Sequence, residues 1–299
     1  AVNGFFIISG FLISWSIDRS FELRAYFIKR MARIYPLYAV VIIAQLLAMW
    51  HFNTELNSFA EAAKYTLANL ASLNFIKPWF GTMVNEPING SLWTIKVELM
   101  FYVAIPIYIW FLRRWGVPWL LFSFACAFAY RFGLEDYNIQ LARQIPGSMT
   151  FFIAGSTGYF FGARLLDKLK QPRFTLLAAV LMTTLFIAAS ENYYAWRLLY
   201  VVALAVALYA LAFYLPVLHL RYDISYGIYL WHVPIFLTLR HIEFYAAQPL
   251  QAFIYGSLIV ALVALASAIF IEVPMIKWGS RRAKKILARS QHETNRTEL

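Results

Sequence analysis

Glu98 and Lys96 stand inside a long apolar run that opens with Asn89-Gly90-Ser91-Leu92-Trp93-Thr94 and continues apolar to Leu112. Ionisable side chains within a membrane segment cost several kcal/mol by most scales, so they face a bundle interior or a wet cavity and mark function. Glu98 is therefore the first candidate for chemistry, with a structural Lys96–Glu98 pair as its alternative role. A second group is Lys29-Arg30-Met31-Ala32-Arg33, followed by Tyr35-Pro36. Arg30 and Arg33 are three apart, so on a helix both guanidinium forks share one face, an arrangement suited to bidentate phosphate contacts. Ordinary anchoring of a span at a basic membrane edge explains the same spacing. The third group, Ser225, Tyr229 and His232, falls at i, i+4 and i+7, one stripe of a helix. A neutral imidazole there can move a proton, or can be a packed histidine whose donor is satisfied by its surroundings. No His, Cys or carboxylate grouping has metal-ligand spacing, and no phosphate loop or nucleophile elbow occurs.

The elements that must position these groups are membrane helices. The chain of 299 residues is 62% hydrophobic and only 14% charged, with a mean hydropathy of +0.61, whereas soluble domains carry nearer a quarter charged residues. Stretches able to cross roughly 30 Å of hydrocarbon occur at 1–17, 34–52, 94–112, 117–132, 146–163, 174–190, 198–218, 224–240 and 250–271. The expectation is an all-α integral membrane protein, a bundle of about nine transmembrane helices. Its transmembrane domain covers 1–276, and a basic cytoplasmic tail covers 277–299. A connection at 53–93 contains an amphipathic stretch, 59–73, that reads as a helix at the interface. Gly10, Ser14, Gly155, Ser156, Gly158 and Gly162 mark close helix packing. Pro36 is expected near the start of the helix that follows the basic cluster.

Net charge is +11, but its distribution argues against nucleic acid. Segments 18–33, 113–116, 164–173, 219–223 and 277–299 fall on one side of the membrane and hold 19 of the 26 Lys and Arg residues. This is the positive-inside bias, which puts the C-terminus in the cytoplasm and the loops 53–93 and 191–197 outside. The basic run from Arg281 to Lys285 reads as a solvated tail facing anionic lipid headgroups. The single Cys126 excludes an intramolecular disulfide. The sequence opens in an apolar run with no initiator Met or charged leader, so at least one preceding helix, making ten, is expected.

Five motifs taken in order resemble the membrane acyltransferase-3 family, integral enzymes that O-acylate bacterial polysaccharides and lipid-linked sugars. They are Phe5 to Ile13 with Ser9-Gly10, Arg30-Met31-Ala32-Arg33-Ile34-Tyr35-Pro36, Ser91 to Glu98 followed by Phe101-Tyr102, Ser225 to Pro234 with Trp231-His232, and Ile271-Glu272-Val273-Pro274. The resemblance implies transfer of an acyl group, usually acetyl, from cytoplasmic acyl-CoA to a carbohydrate hydroxyl at the outer face of a bacterial inner (cytoplasmic) membrane. It implies no metal. On this reading Lys29, Arg30 and Arg33 hold the phosphates of the donor, and Ser91 and Trp93 shape the acceptor entrance. Glu98 orients or charge-balances a histidine, while Tyr229 and His232 line the cavity and donate to the developing oxyanion. The family pattern also places a catalytic histidine on a helix before residue 1, so the sequence as given is expected to be inactive. A transporter or flippase for a lipid-linked sugar is the rival class, and a non-catalytic scaffold a third.

Overall fold

A computed structural model of the chain describes residues 2–19, 22–51, 58–72, 82–83, 86–87, 89–162, 171, 173–174, 176–177, 180–181, 184, 194–214 and 221–297. Apart from a two-residue antiparallel pair, β1 (Thr82–Met83) and β2 (Glu86–Pro87), the regular structure is helical. The helices are α1 (Val2–Arg19), α2 (Leu23–His51), α3 (Phe59–Leu70), α4 (Leu92–Trp115), α5 (Val117–Leu134), α6 (Ile139–Ala142), α7 (Ile145–Phe161), α8 (Tyr194–Tyr214), α9 (Ser225–His241), α10 (Phe244–Ala247), α11 (Pro249–Ser267) and α12 (Val273–Thr297). A π-helical turn, Ala268–Glu272, joins α11 to α12.

Among the described residues, four helices are long and apolar enough to cross a membrane: Leu23–His51, Leu92–Trp115, Val117–Leu134 and Pro249–Ser290. Val2–Asp18 and Arg197–Ala212 are shorter apolar helices. Most of the stretch expected to span at 174–190, the end of that expected at 198–218, and parts of the loops expected at 53–93, 164–173, 191–197 and 219–223 lie outside the described residues.

Two compact units emerge. The first comprises residues 1–21 and 99–219. In it α1 and α7 approach at backbone distance: Gly10 lies over the Phe152 carbonyl and Gly155 over the Ile7 carbonyl. Ser14 donates to Ser156 at 2.9 Å within the same seam. Phe6, Phe101 and Phe152 pack beside it, with ring centroids 5.4 and 5.0 Å apart. The turn between α4 and α5 is a single residue, Gly116 at φ 61°, a left-handed conformation that a side chain would strain. At one end of this unit Asp18 accepts from Arg113 at 2.7 Å and from the Tyr159 hydroxyl at 2.9 Å. Elsewhere Arg197 donates to the Phe132 carbonyl and to Asp136, tying the start of α8 to the end of α5. The Gly158/Gly162 spacing does not form one contact surface: Gly158 receives the Tyr209 ring, while Gly162 caps α7 through the Gly158 carbonyl.

The α1–α7 seam supplies a direct test. Any Cβ at Gly155 would fall on the Ile7 carbonyl oxygen, whereas one at Gly133 meets nothing within 4 Å. Gly155→Val is therefore expected to cost at least about 3 kcal/mol, the upper range of overpacking, because backbone rather than a flexible side chain must yield. Gly133→Ala should be neutral or stabilise by up to about 1 kcal/mol through helix propensity. Thermal unfolding in detergent, followed by near-ultraviolet circular dichroism, checks both.

The second unit, residues 22–98 and 220–299, holds all the candidate residues. Two of its helices differ from the sequence reading. First, α2 runs unbroken from Leu23 to His51 with Pro36 inside it rather than near its start. Proline removes the bond to the Ala32 carbonyl, yet Tyr35 and Tyr38 on either side are pinned by donation to the Leu70 and Asn69 carbonyls of the α3 end. Second, the expected solvated tail is α12, docked against α2: Gly279 lies against Ala32, the Ile28 carbonyl and the Lys29 Cα, and Ala283 is fully buried. Within the amphipathic stretch at 59–73, Phe59–Leu70 does form a helix, α3, N-capped by Ser58, whose side chain accepts from Glu61 N–H.

Candidate functional site

The site is organised by α9, whose successive residues each meet a different neighbour. Ser225 donates through its hydroxyl and N–H to Asp223 at 2.6 and 3.1 Å. The Tyr226 hydroxyl donates to the Ile34 carbonyl of α2 at 3.0 Å. Gly227 allows α11 to approach, since a Cβ would lie 2.9 Å from the Ala264 Cα. Trp231 Nε1 donates to Ser267 Oγ at 3.0 Å.

Tyr229 and Leu230 bind the start of α4. The Tyr229 hydroxyl contacts Thr94 Oγ1 and the Ser91 carbonyl, the latter also accepting from Thr94. Pro234 has no N–H, so the carbonyl of Leu230, four residues earlier, loses its helical partner. Asn89 Nδ2 supplies the replacement at 3.0 Å, while Asn89 Oδ1 accepts from Ser91 N–H. A proline in α9 and a buried asparagine before α4 thus form one joint, which sets where α4 begins and hence where Glu98 sits.

Glu98 lies on the seventh residue of α4 and is only 8% exposed. Its carboxylate is within electrostatic reach of three tyrosines, Tyr26 on α2 and Tyr226 and Tyr229 on α9. The Arg30 guanidinium lies 5.8 Å over the Tyr26 ring. Arg33 takes a different partner, Asp223, at 3.4 Å. The two arginines therefore share a helix face but turn to separate neighbours. Burial pushes the Asp223 carboxyl up, but the two Ser225 hydrogen bonds and the Arg33 charge outweigh it, so its net shift is below the usual carboxylate range. It stays ionised at neutral pH. The Arg33–Asp223 pair is more than half exposed on both sides, so it contributes at most about 1 kcal/mol and can be exchanged for another anion at little cost. Glu272, buried in the π turn, lies within electrostatic reach of both Arg33 and Asp223.

His232 is half-buried, and its ring centroid is 5.9 Å from that of Tyr229. Its Nδ1 contacts the carbonyls of Tyr229 at 2.8 Å and Ile228 at 3.2 Å. A carbonyl only accepts, so Nδ1 carries the proton and, in the neutral ring, Nε2 carries the lone pair. The geometry thus uses the Tyr229 hydroxyl at the α4 joint and the His232 Nδ1–H in its own helix. Neither proton is available for the oxyanion role expected of them, and Nε2 of neutral His232 is an acceptor.

Ser91 and Trp93 bracket the first turn of α4 and are both half-buried. Lys29 is exposed, with its backbone against α12. Tyr26, Asn89, Asp223, Tyr226 and Glu272 complete the cluster without having been assigned roles from the sequence. The legible signal for Asn89 was Pro234, which frees a carbonyl at a fixed offset; Asp223 had the Ser225 that follows it. Among the described residues, no group of three or more His, Cys, Asp or Glu side chains could hold a metal ion.

Apolar helices that carry a buried carboxylate, facing tyrosines and an arginine-rich helix define a membrane protein with a polar site in its bundle. Comparison with known proteins makes the class specific: the family model described as an acyltransferase domain, acyltransferase-3, matches residues 1–273. The chain belongs to that family. It is 26% identical to nodulation protein 10 of Rhizobium leguminosarum bv. viciae, over 91% of this chain and 81% of that protein. It is 23% identical to an O-acetyl transferase of Shigella phage Sf6, over 84% and 78% respectively. Over its whole length it is 24% identical to the O-acetyltransferase OatA of Staphylococcus aureus strain MRSA252, covering 56% of that protein. No solved structure matches the chain.

Proposed function

We propose that the protein is a membrane O-acyltransferase that moves an acyl group, acetyl in the first instance, from acyl-CoA to a hydroxyl of a cell-surface polysaccharide or lipid-linked glycan. The observation that carries the reading is the gathering of Glu98, the α2 arginines and α9 in one compact unit of a chain in the acyltransferase-3 family. In this reading the chain crosses the cytoplasmic membrane nine times with its C-terminus in the cytoplasm. Two contacts support the sidedness: Asp18 with Arg113, and Arg33 with Asp223, each join segments assigned to the cytoplasmic side.

Lys29, Arg30 and Arg33 bind the donor phosphates, Arg33 by exchanging its exposed contact with Asp223. Ser91 and Trp93 border the acceptor's entry. His232 Nε2 takes the proton of the acceptor hydroxyl as its oxygen attacks the thioester carbonyl. The carbon–sulfur bond then breaks, and the imidazolium returns the proton to the departing thiolate, giving an O-acyl ester and free coenzyme A. Tyr229 positions α4, and the Glu98 charge in low dielectric favours the state in which a neighbouring group has become cationic.

Transfer of labelled acetyl from acetyl-CoA to a polysaccharide acceptor, measured with the full protein in membranes, tests the function. No transfer and no hydrolysis would overturn it. Arg30→Gln/Arg33→Gln should raise the apparent KM for acetyl-CoA by about tenfold to a hundredfold, the scale of lost charge-assisted contacts, while membrane insertion is unchanged.

A further inference from the structure

Seven Lys and Arg residues lie outside the segments assigned to the cytoplasmic side, and three of them, Arg131, Arg143 and Arg197, gather at one end of the first unit. Arg131 stands near the end of α5, Arg143 between α6 and α7, and Arg197 in the first turn of α8. Arg131 Nη1 donates to the Ala142 carbonyl at 3.2 Å, next to Arg143 in the chain. Arg197 Nη1 donates to the Phe132 carbonyl at 3.0 Å, next to Arg131. Both Arg143 and Arg197 are within electrostatic reach of Arg131. In the membrane reading this is the outer end of the unit, where the positive-inside bias gives cations no reason to collect.

Arg131 is the buried member, only 6% exposed, with its guanidinium 5.9 Å over the Phe151 ring. It is buried because Gly147 lets α7 close on α5: a Cβ there would fall on the Ala142 carbonyl oxygen and 3.3 Å from the Arg131 Cα. A buried guanidinium is costly unless each N–H finds an acceptor. Nη1 has the Ala142 carbonyl. Nε–H and Nη2 form the side-on edge of the fork, which in a bidentate pair receives two oxygens of one anion. Here that edge meets one Glu135 oxygen, at 3.5 Å from Nη2, and Nε has no partner. Charge-assisted contacts of this kind close to about 2.7 to 2.9 Å, so Glu135 neither fills the edge nor approaches it closely. The Glu135 side chain is partly exposed, and Asp136, which accepts from Arg197 at 3.2 Å, is more than half exposed. Both carboxylates can turn to water and leave the arginines to another anion.

We propose that the side-on edge of Arg131, with Arg143 and Arg197 beside it, binds the diphosphate of a lipid-linked glycan and so places the acceptor. The inference rests on the acyltransferase reading above and narrows its acceptor to the lipid-linked class. Guanidinium groups stay charged in any surroundings and match phosphate oxygens two at a time. A diphosphate carries enough oxygens to meet several forks at once, whereas one carboxylate fills a single fork. Arg143 is exposed and leaves the cluster open on one side. A lipid-linked glycan carries its diphosphate between the lipid chain and the sugar, at the membrane face where this end of the unit lies in the same reading.

The test measures binding to the full chain in discs of neutral phosphatidylcholine. Two probes carry the same hexose on the same prenyl chain, one through a diphosphate and one through a glycosidic bond. The unaltered protein should bind the diphosphate probe at least about tenfold more tightly, a difference of about 1.4 kcal/mol. Arg143→Gln should remove most of that preference and leave the affinity for the neutral probe unchanged. Arg131→Lys keeps the charge but has no side-on edge, so it should remove the preference as well. If Arg131→Lys does not fold, Arg143→Gln decides, because its side chain is exposed. Lys64→Gln, an exposed cation of α3, should change neither affinity. A loss there equal to that of Arg143→Gln would reduce the effect to diffuse attraction and overturn the site. Equal affinity of the unaltered protein for the two probes would overturn it too. So would a preference that phosphatidylglycerol in the discs abolishes, which would assign the arginines to headgroups. Acetyl transfer in the same discs separates the inference from its premise. Transfer to both probes alike leaves the acyltransferase reading standing and sinks the inference, whereas no transfer and no hydrolysis of acetyl-CoA sinks both.

Discussion

Glu98→Gln should lower kcat for acetyl transfer by at least about a hundredfold while changing coenzyme A affinity less than twofold. The substitution keeps the volume and one acceptor but removes the charge. Glu98 is almost wholly buried and lies within electrostatic reach of Tyr26, Tyr226 and Tyr229. A charge in such surroundings acts over several ångströms with little screening, so its loss is felt by any group that gains a proton during turnover. The arginines proposed to hold the donor phosphates meet Tyr26 and Asp223, so the proposed donor contacts do not depend on the charge of Glu98. Activity that survives Glu98→Gln, together with a lower unfolding temperature, would make the residue a packing element. Glu98→Asp separates the two roles: it retains the charge but withdraws it by one methylene, so partial recovery of kcat is expected only if charge is what matters.

Hydropathy made most of the helical scaffold legible, because nearly every apolar stretch of suitable length that falls on described residues is a helix. What it hid were the polar continuations of helices. Residues 18–33 and 277–299 read as loop and tail, since hydropathy reports the solvent a segment meets rather than its backbone. Residues 23–33 and 277–297 are instead helical, and the two helices meet where Gly279 lies against Ala32 and the Ile28 carbonyl, a close approach whose two halves are each weak signals in the sequence. The candidate site was legible by residue type more than by role. Ser225, Tyr229 and His232 do share a stripe of α9, but this helix is contacted by α2, α4 and α11 through Tyr226, Tyr229 and Trp231. No single stripe can then be named the functional one. Arg30 and Arg33 illustrate the same limit, since one spacing served both a stacked guanidinium over Tyr26 and an exposed pair with Asp223. Spacing predicts which residues can meet, and the neighbouring helices decide which do.

His232 carries the other large effect. Its Nδ1–H is held by the Tyr229 carbonyl at 2.8 Å, which fixes the tautomer whose Nε2 accepts a proton. Loss of a positioned general base commonly costs a hundredfold to ten-thousandfold, so His232→Gln is expected to reduce kcat/KM by roughly that factor. Gln can still donate to the backbone and fill most of the space, and a modest change in unfolding temperature should accompany the loss. A catalytic role and a packing role differ in how the loss responds to the donor. Donors with better leaving groups sharpen the distinction: a thioester whose thiolate needs no protonation should recover part of the loss if His232 returns the proton, and none of it if the histidine is structural.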